Sequence, residues 1–399
     1  MSPKRSTRSR HKPRPLWLPD LRHSVSKGPA LAGLFLCARQ VARRNFDSLL
    51  DIPPQEIIGD AMTLANDPPD QARQNWITDC TGVAIVLVVI GNCLHGLVKS
   101  GLLPADGWFY VVDGVIYAFH MAMLFMLGGM TFVSWAMPMQ PGAFVLSRLT
   151  RLFWPMTLWT WLFFVVKILI GALANEPTPL SEFPLNPLPP KVHYWDLWTF
   201  FLIHLATYFA MRPFWLRNPK ALWPWLILLA ITCYLSKDIP LFGLYPGWFA
   251  LAFHFSPYFV AGVLLARRPW PRFGWPGIVV AILIFVPSVL APLKPLDHYD
   301  LFEHTIYLVV AFTASVALVH FMREINLQRP TLLRSFGLGW LAIYVAHPIF
   351  SPAFRVVLTK LGITNISLHV IGGTLIGLFA PLLMLAIAKR LRITRLLGI

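Results

Sequence analysis

The chain has 399 residues, of which 56% are hydrophobic and only 13% are charged, and its formal net charge is +16. So few charged side chains cannot cover one or two soluble domains, and the apolar residues exceed what two cores would bury. Composition therefore excludes an ordinary soluble protein and predicts an all-α, polytopic membrane helix bundle. The positive charge would indicate nucleic acid in a soluble chain, but here we expect it to orient the protein in the bilayer, with no nucleic-acid partner.

Residues 1–77 differ in kind from the rest of the chain. They open with MSPKRSTRSRHKPRPLW, a basic, proline-rich stretch that predicts a disordered cytoplasmic arm. The segment 28–46 has too short an apolar run to span a bilayer, and its Leu, Phe and Arg pattern is typical of a helix lying on an anionic membrane surface. A cleaved signal or transit peptide is the alternative interpretation of this arm. We assign residues 78–399 to one transmembrane domain.

Ten apolar segments follow, each long enough for a transmembrane helix or nearly so. If the N-terminus is cytoplasmic, 27 of the 34 lysines and arginines fall in inner segments and six in outer segments, with Lys167 inside a helix. The six outer residues are Lys99, Lys191, Lys237, Lys294, Arg355 and Lys360. The positive-inside rule then predicts ten spans with both termini inside. The predicted helices lie near residues 80–98, 108–137, 152–174, 196–213, 221–236, 247–266, 274–293, 304–323, 336–355 and 368–389.

No soluble-enzyme motif is present, and the four cysteines have no CxxC spacing or histidine cluster, so neither a disulfide framework nor a metal site is expected. Chemistry must then come from polar groups in the helices, which are costly in lipid. Asp113, Tyr117 and His120 are spaced i, i+4 and i+7 on one stripe of the second predicted helix. Asp113 and His120 are roughly 10 Å apart along the axis and could face one cavity. Alternatively, His120 makes only a packing hydrogen bond.

Three arrangements of the remaining polar residues are informative. His347 lies within a predicted span beside Pro348, which loosens the backbone. Arg148 and Arg151 are three residues apart at the predicted cytoplasmic start of the third helix, where two guanidiniums suit phosphate groups such as those of acyl-CoA. Ordinary positive-inside anchoring is the alternative for this pair. Other polar side chains, each alone in its helix, fit a satisfied interior group or a snorkelling chain better than a catalyst: Lys167, His204 and His254.

Six short segments resemble, in order along the chain, motifs of one known family. TGVAIVLVVIGN (81–92) is similar to RGIAILLVVLGH, YAFHMAMLFMLGG (117–129) to FHMPLFFFLSG, and RLTRLFWP (148–155) to an RxxR followed by proline. HYWDLWTFFLIHL, FSPYFVAGVLLARR and FGLGWLAIYVAHPIF come where that family has a Trp-rich fourth helix, an FxxGxxL helix and an SLxIYLxH helix. Over residues 76–389 the chain thus resembles the acyltransferase 3 family of bacterial integral-membrane acyltransferases, in particular its glucan- and polysaccharide-modifying branch.

The resemblance implies transfer of an acyl group, commonly acetyl or succinyl, from cytoplasmic acyl-CoA to a hydroxyl of an extracytoplasmic polysaccharide or glucan. It implies no permanently bound cofactor, since acyl-CoA is the donor substrate. The expected partners are acyl-CoA, a surface carbohydrate acceptor and the lipid bilayer, with components of a polysaccharide synthase as further candidates.

The family's best-known catalytic pair, an Arg and a His of the first helix, is replaced here by Thr81 and Asn92. An amide cannot take a proton, and a threonine cannot clamp an anion as arginine does. His95, three residues past Asn92 and about 60° away on the helix, is one candidate for the base. His120, which matches the histidine of the FHM motif, is the other, and His347 is expected to supply a supporting hydrogen bond.

By the same resemblance, Arg148 and Arg151 are expected to hold the CoA, with Asp113, Tyr117 and Asn92 supporting the site. Two serines of the family are also replaced, by Gly128 and Trp340. The alternative function is a non-catalytic family member that serves a polysaccharide synthase as an accessory or translocates the polymer. A different membrane-bound acyltransferase fold with an intramembrane histidine is a third possibility, and it would not depend on the two arginines.

Overall fold

The computed structural model describes residues 68–171, 178–188, 193–215, 249–266, 273–290, 301–325 and 331–399. Side chains are described from residue 75 onward, except at 214, 215 and 301–305. Within these ranges all regular structure is helical, which confirms the all-α prediction. The basic arm up to residue 67, its interfacial helix at 28–46 and the predicted helix 221–236 lie outside the described residues.

Thirteen α-helices, a π-helical turn at Leu149–Phe153 and a 3₁₀ turn at Leu180–Glu182 make up the described part. In chain order the helices are α1 Pro68–Lys99, α2 Trp108–Tyr117, α3 His120–Ala136, α4 Pro141–Arg148, α5 Trp154–Ile170, α6 Trp195–Trp215, α7 Ala250–Leu265, α8 Trp275–Leu290, α9 Leu301–Ile325, α10 Leu332–Leu338, α11 Trp340–Lys360, α12 Ile366–Arg390 and α13 Thr394–Leu397.

Six helical stretches of the described part are long and apolar enough to cross a membrane, which supports a multi-pass membrane protein. α7 and α8 are apolar but shorter. The six are Asn75–Lys99, Trp108–Ala136, Pro141–Ile170, Ile306–Ile325, Trp340–Lys360 and Ile366–Arg390.

Several helix boundaries differ from the sequence-based prediction. α1 begins at Pro68, about three turns before residue 80. The predicted helix 108–137 is interrupted at Ala118 and Phe119, where the backbone of Phe119 (φ −146°, ψ −22°) leaves the helical region. The third span begins at Pro141, not near 152, and continues through the π-helical turn into α5. Proline at the first helical position explains the early start, because its fixed φ suits a helix and its missing N–H is not needed there.

The bundle is organised around α1, which packs against α3, α9, α10, α11 and α12. A buried ion pair fixes its first described turns: Arg334 Nη2 of α10 lies 2.8 Å from Asp79 Oδ2, and Thr331 donates a hydrogen bond to the same carboxylate. Asp79 is 1% exposed, so its charge depends on these partners. Sequence reasoning missed this pair, although Asp79 is an acid at the edge of an apolar run.

Glycines allow the closest helix approaches in the bundle. A Cβ atom at Gly129 of α3 would overlap the carbonyl group of Phe259 in α7, and a Cβ at Gly262 of α7 would overlap the carbonyl of Met126 in α3. The contact is thus reciprocal and brings the two backbones together, as small residues do at helix interfaces in membranes. α3, which begins at His120, is therefore held in place by α7.

We expect Gly129→Ala to destabilise the protein by about 1–3 kcal/mol, because the added methyl group forces two backbones apart in a packed interior. Thermal unfolding of the detergent-purified protein should show this as a lower midpoint temperature. Gly142→Ala is the matched control, because a Cβ there meets no atom within 4 Å. Equal midpoints for the two variants would contradict the close α3–α7 approach.

Candidate active site

His95 and Asp113 form the central pair of the candidate site. His95 Nε2 lies 2.7 Å from Asp113 Oδ1, with the two side chains 41% and 27% exposed. His95 lies one turn before the end of α1, and Asp113 lies in the second turn of α2. Because residues 100–107 join the two helices through a short turn, positions at similar distances from this turn meet. Asp113 therefore orients the ring of His95, a contact that the spacing of residues along α2 and α3 did not predict.

Tyr117 connects this pair to His120. Its ring is stacked on that of His95 (centroids 4.9 Å apart, planes 8° apart) and meets His120 edge-on at 4.8 Å. The Tyr117 hydroxyl also lies 3.5 Å from His95 Nδ1. The interruption between α2 and α3 lies between Tyr117 and His120, yet both rings remain on one side. The structure thus brings the four predicted residues of α1, α2 and α3 into one contiguous row.

His120 is 2% exposed, and its Nδ1 donates a hydrogen bond of 2.6 Å to the carbonyl of Ile116, one turn earlier. With the proton on Nδ1, the lone pair lies on Nε2. This ring can therefore accept a proton or hydrogen bond at Nε2 only.

His347 has the same local arrangement but a different neighbour. Its Nδ1 donates to the carbonyl of Ile343 at 2.9 Å, and Asn92 Nδ2 donates to its Nε2 at 3.2 Å. The same Asn92 amide lies 3.1 Å from the carbonyl of Val88. Asn92, at the family's histidine position, therefore occupies the lone pair of His347. His347 is 1% exposed.

The other departures from the motifs are locally accommodated. Thr81 donates its hydroxyl to the carbonyl of Ile77 at 2.9 Å, within α1. At Gly128 a Cβ would lie 2.8 Å from the ring of Phe200, so a serine there would require this ring to move. Trp340 begins α11 and packs against the core.

Arg148 and Arg151 lie at the end of α4 and in the π-helical turn, inside a continuous span and not at its start. The Arg148 guanidinium lies over the Trp135 ring, with Cζ 4.1 Å from its centroid, and Nη2 donates to Ser147 Oγ at 2.9 Å. Arg148 is 7% exposed, and its Nε is buried without a hydrogen-bond partner. Arg151 is half-buried and close enough to interact electrostatically with Arg148. The two cations thus adjoin one another without an acidic partner in the described residues.

Of the three isolated polar residues, His204 lies next to the arginine pair: its ring meets Trp135 edge-on, with centroids 5.5 Å apart, and it interacts electrostatically with Arg148. His204 is buried among aromatic rings, stacked on Phe132, and its Nδ1 lacks a hydrogen-bond partner, so it is not the fully satisfied group that we predicted. His254 meets the ring of Phe255 edge-on, and Lys167 lies in the last turn of α5. In the described residues no group of three or more potential metal ligands occurs.

Sequence reasoning also misplaced Arg355, which it counted among outer-loop charges. The residue lies within α11, is only 8% exposed, and contacts α1 at Gly96. The eight residues between His347 and Arg355 amount to just over two helical turns, which was a signal that both share roughly one side of α11.

Differences in exposure predict how the histidines react. Brief treatment with diethylpyrocarbonate should modify His95 first, because its side chain is 41% exposed, whereas His120 and His347 are 2% and 1% exposed. Peptide mass spectrometry of the detergent-purified protein would give the three rates. Modification of His120 as fast as His95 would contradict the burial of this ring beneath Tyr117.

Comparison with known proteins bears on the identity of this bundle. Residues 80–388, over three quarters of the chain, match a protein-family model that is described as an acyltransferase domain. Comparisons with curated proteins and with solved structures gave no match. The matched range contains every residue of the candidate site and both arginines. The chain therefore belongs to the acyltransferase 3 family, as the resemblance of its motifs predicted.

Proposed function

We propose that this membrane acyltransferase moves an acetyl or succinyl group from cytoplasmic acyl-CoA to a hydroxyl of a polysaccharide or glucan on the outer face of the cell inner membrane. The observation that carries the proposal is the placement of two polar groups at opposite ends of α3. His120, beside Tyr117 and His95, begins this helix, and Trp135, beneath Arg148, is its penultimate residue. Seventeen helical residues separate the ends by roughly 25 Å, most of the hydrocarbon thickness of a bilayer.

His95 is the best-placed general base. Because its Nε2–H donates to Asp113, the lone pair of the neutral ring lies on Nδ1, and the ring is partly exposed. In the proposed reaction Nδ1 of His95 takes the proton of the acceptor hydroxyl, while the oxygen of that hydroxyl attacks the thioester carbonyl. The carbon–sulfur bond then breaks, and CoA leaves as the thiolate. Asp113 would stabilise the imidazolium that forms, as a carboxylate does in a base–orienter pair.

Arg148 and Arg151 suit the donor. Phosphate groups of CoA are recognised by guanidiniums, whose planar forks donate several hydrogen bonds. The buried, unpartnered Nε of Arg148 is a donor available to such a ligand. Stacking on Trp135 would keep this guanidinium in place before the donor binds.

We also propose ten spans with both termini in the cytoplasm. This arrangement rests on the excess of lysine and arginine in the inner segments. It places Arg148 and Arg151 on the side where acyl-CoA is available, and His95 and Asp113 on the side where a surface carbohydrate would be.

His95→Ala should lower the acyl-transfer rate about 100-fold or more, the usual contribution of a general base, and Asp113→Asn should lower it by a smaller factor. The measurement is transfer of labelled acyl groups from acetyl-CoA or succinyl-CoA to the host's surface glycan fraction by the protein in lipid nanodiscs. Asp106→Asn, an exposed change in the α1–α2 loop, is the control. Wild-type rates in His95→Ala would exclude this base and leave His120, whose replacement by alanine completes the set.

Replacing either arginine of the donor site by glutamine should weaken acyl-CoA binding about tenfold, because a charge-assisted hydrogen bond contributes about 1.5–3 kcal/mol. Isothermal titration of acyl-CoA into nanodiscs would measure the dissociation constants of Arg148→Gln and Arg151→Gln. Arg390→Gln, an exposed cation at the end of α12, is the matched control. Unchanged affinity in both variants would mean that the pair only anchors the helix.

A second candidate function is a non-catalytic accessory or polymer translocator. One observation favours it: Asn92 and Thr81 make ordinary structural hydrogen bonds where the family has its catalytic pair. In that case the His95 and Arg148 variants would leave assembly with polysaccharide synthase components intact, and the wild-type protein would transfer no acyl group.

A further inference from the structure

Arg355 is a buried cation that the proposed mechanism does not use. It lies in α11 two turns after His347, and its guanidinium contacts α1 at Gly96. Its guanidinium is close enough to interact electrostatically with the Cys93 thiol, which in turn lies beside the hydroxyls of Ser351 and Thr374. The surroundings of this cation are thus small, neutral and polar.

No carboxylate of the described residues forms an ion pair with Arg355, whereas Arg334 has Asp79. Arg355 is 8% exposed, so water can reach it only narrowly. A charge removed from water costs several kcal/mol unless an opposite charge compensates it. An anionic ligand would supply this compensation.

The α1 surface is shaped to admit this guanidinium. A Cβ at Gly96 would overlap Nη1 of Arg355 and lie 3.2 Å from Cζ. Any other residue at position 96 would require the guanidinium to move from its place. Gly96 directly follows His95, so the guanidinium and the proposed base lie on adjacent faces of the last turns of α1.

We propose that Arg355 binds a carboxylate carried by the substrate, and that this carboxylate is the free end of a dicarboxylic acyl group such as succinyl. The proposal rests on the proposed function. A guanidinium fork matches a carboxylate with two parallel hydrogen bonds. Because Arg355 lies between helices and is nearly closed to the surface, a short acyl chain entering through the bundle can reach it, and a residue of an acidic polymer cannot. Arg355 is then a specificity-determining residue, not a catalytic one.

The test compares succinyl-CoA with acetyl-CoA as donors for the protein in nanodiscs. We expect the wild-type ratio of kcat/KM for succinyl-CoA over acetyl-CoA to exceed about tenfold. Arg355→Gln and Gly96→Ala should each lower this ratio about tenfold, and Arg355→Lys should lower it less. Lys360→Gln, an exposed cation five residues later in α11, should leave it unchanged. A ratio unaffected by Arg355→Gln would overturn the proposal.

Two further arms separate the possible outcomes. The first arm uses neutral and uronic-acid-containing glycans as acceptors. If the loss of transfer in Arg355→Gln depends on which acceptor is used and not on which donor is used, Arg355 does not bind the acyl carboxylate and the proposal is overturned. Free succinate should raise the thermal midpoint of wild-type protein more than acetate does, and Arg355→Gln should abolish the difference. This binding measurement needs no turnover. Absence of transfer from both donors would therefore contradict the proposed function alone. Equal effects of succinate and acetate on the thermal midpoint would contradict the role of Arg355 as a carboxylate-binding residue.

Discussion

Many polar side chains within this bundle, His120 and His347 among them, return a hydrogen bond to a carbonyl of their own helix, and the chemistry of the site depends on this constraint. In lipid no water replaces a missing partner, so each donor must be satisfied inside the protein. His120 and His347 both donate Nδ1–H to the carbonyl four residues earlier, which fixes their protons and directs Nε2 away from the helix axis. His95 differs from these two, because its Nε2 reaches across to Asp113 on another helix. Of the three candidate histidines, it is the one whose orientation is set by a carboxylate.

Glycines determine which helices of the bundle come closest to one another. Reciprocal glycines join α3 to α7, and a second pair, Gly82 and Gly337, joins α1 to α10 by the same means: a Cβ at either would overlap a backbone carbonyl of the other helix. These contacts place α1 and α3 rigidly, and with them His95 and His120. The hydrogen bond from Asn92 to His347 adds α11 to this frame. Asn92 thus joins α1 to α11.

Within the described residues the apolar segments predicted where helices lie, because length and hydrophobicity decide what a bilayer accepts, and six of the described stretches are long and apolar enough to cross it. They could not locate the break at Ala118 and Phe119 or the early start at Pro141, since these depend on packing and on a single proline. The stripe of Asp113, Tyr117 and His120 correctly placed three residues in one row. It could not show that the partner of Asp113 is His95, because only the crossing of α1 and α2 brings these two residues together. The short connection of residues 100–107 was the available clue. Arg355 was placed among the outer charges because a charged residue near the end of a predicted span is usually assigned to a loop. Its burial depends on packing against α1, which the sequence of α11 alone does not indicate.

The π-helical turn at Leu149–Phe153 determines which side of the following helix faces each neighbour. Such a turn holds one residue more than a regular helix allows, so the helix after it is rotated by roughly 100° relative to an uninterrupted one. Pro155 follows at once, where the missing N–H would break a regular hydrogen-bond ladder, and the wide turn absorbs the defect. Everything from Trp154 to Ile170 therefore faces its neighbours in a register set by five residues. Loss of one residue in this turn would keep the helix and its length nearly unchanged while turning every later side chain towards a different neighbour, so this short segment is where insertions and deletions among relatives would be least tolerated.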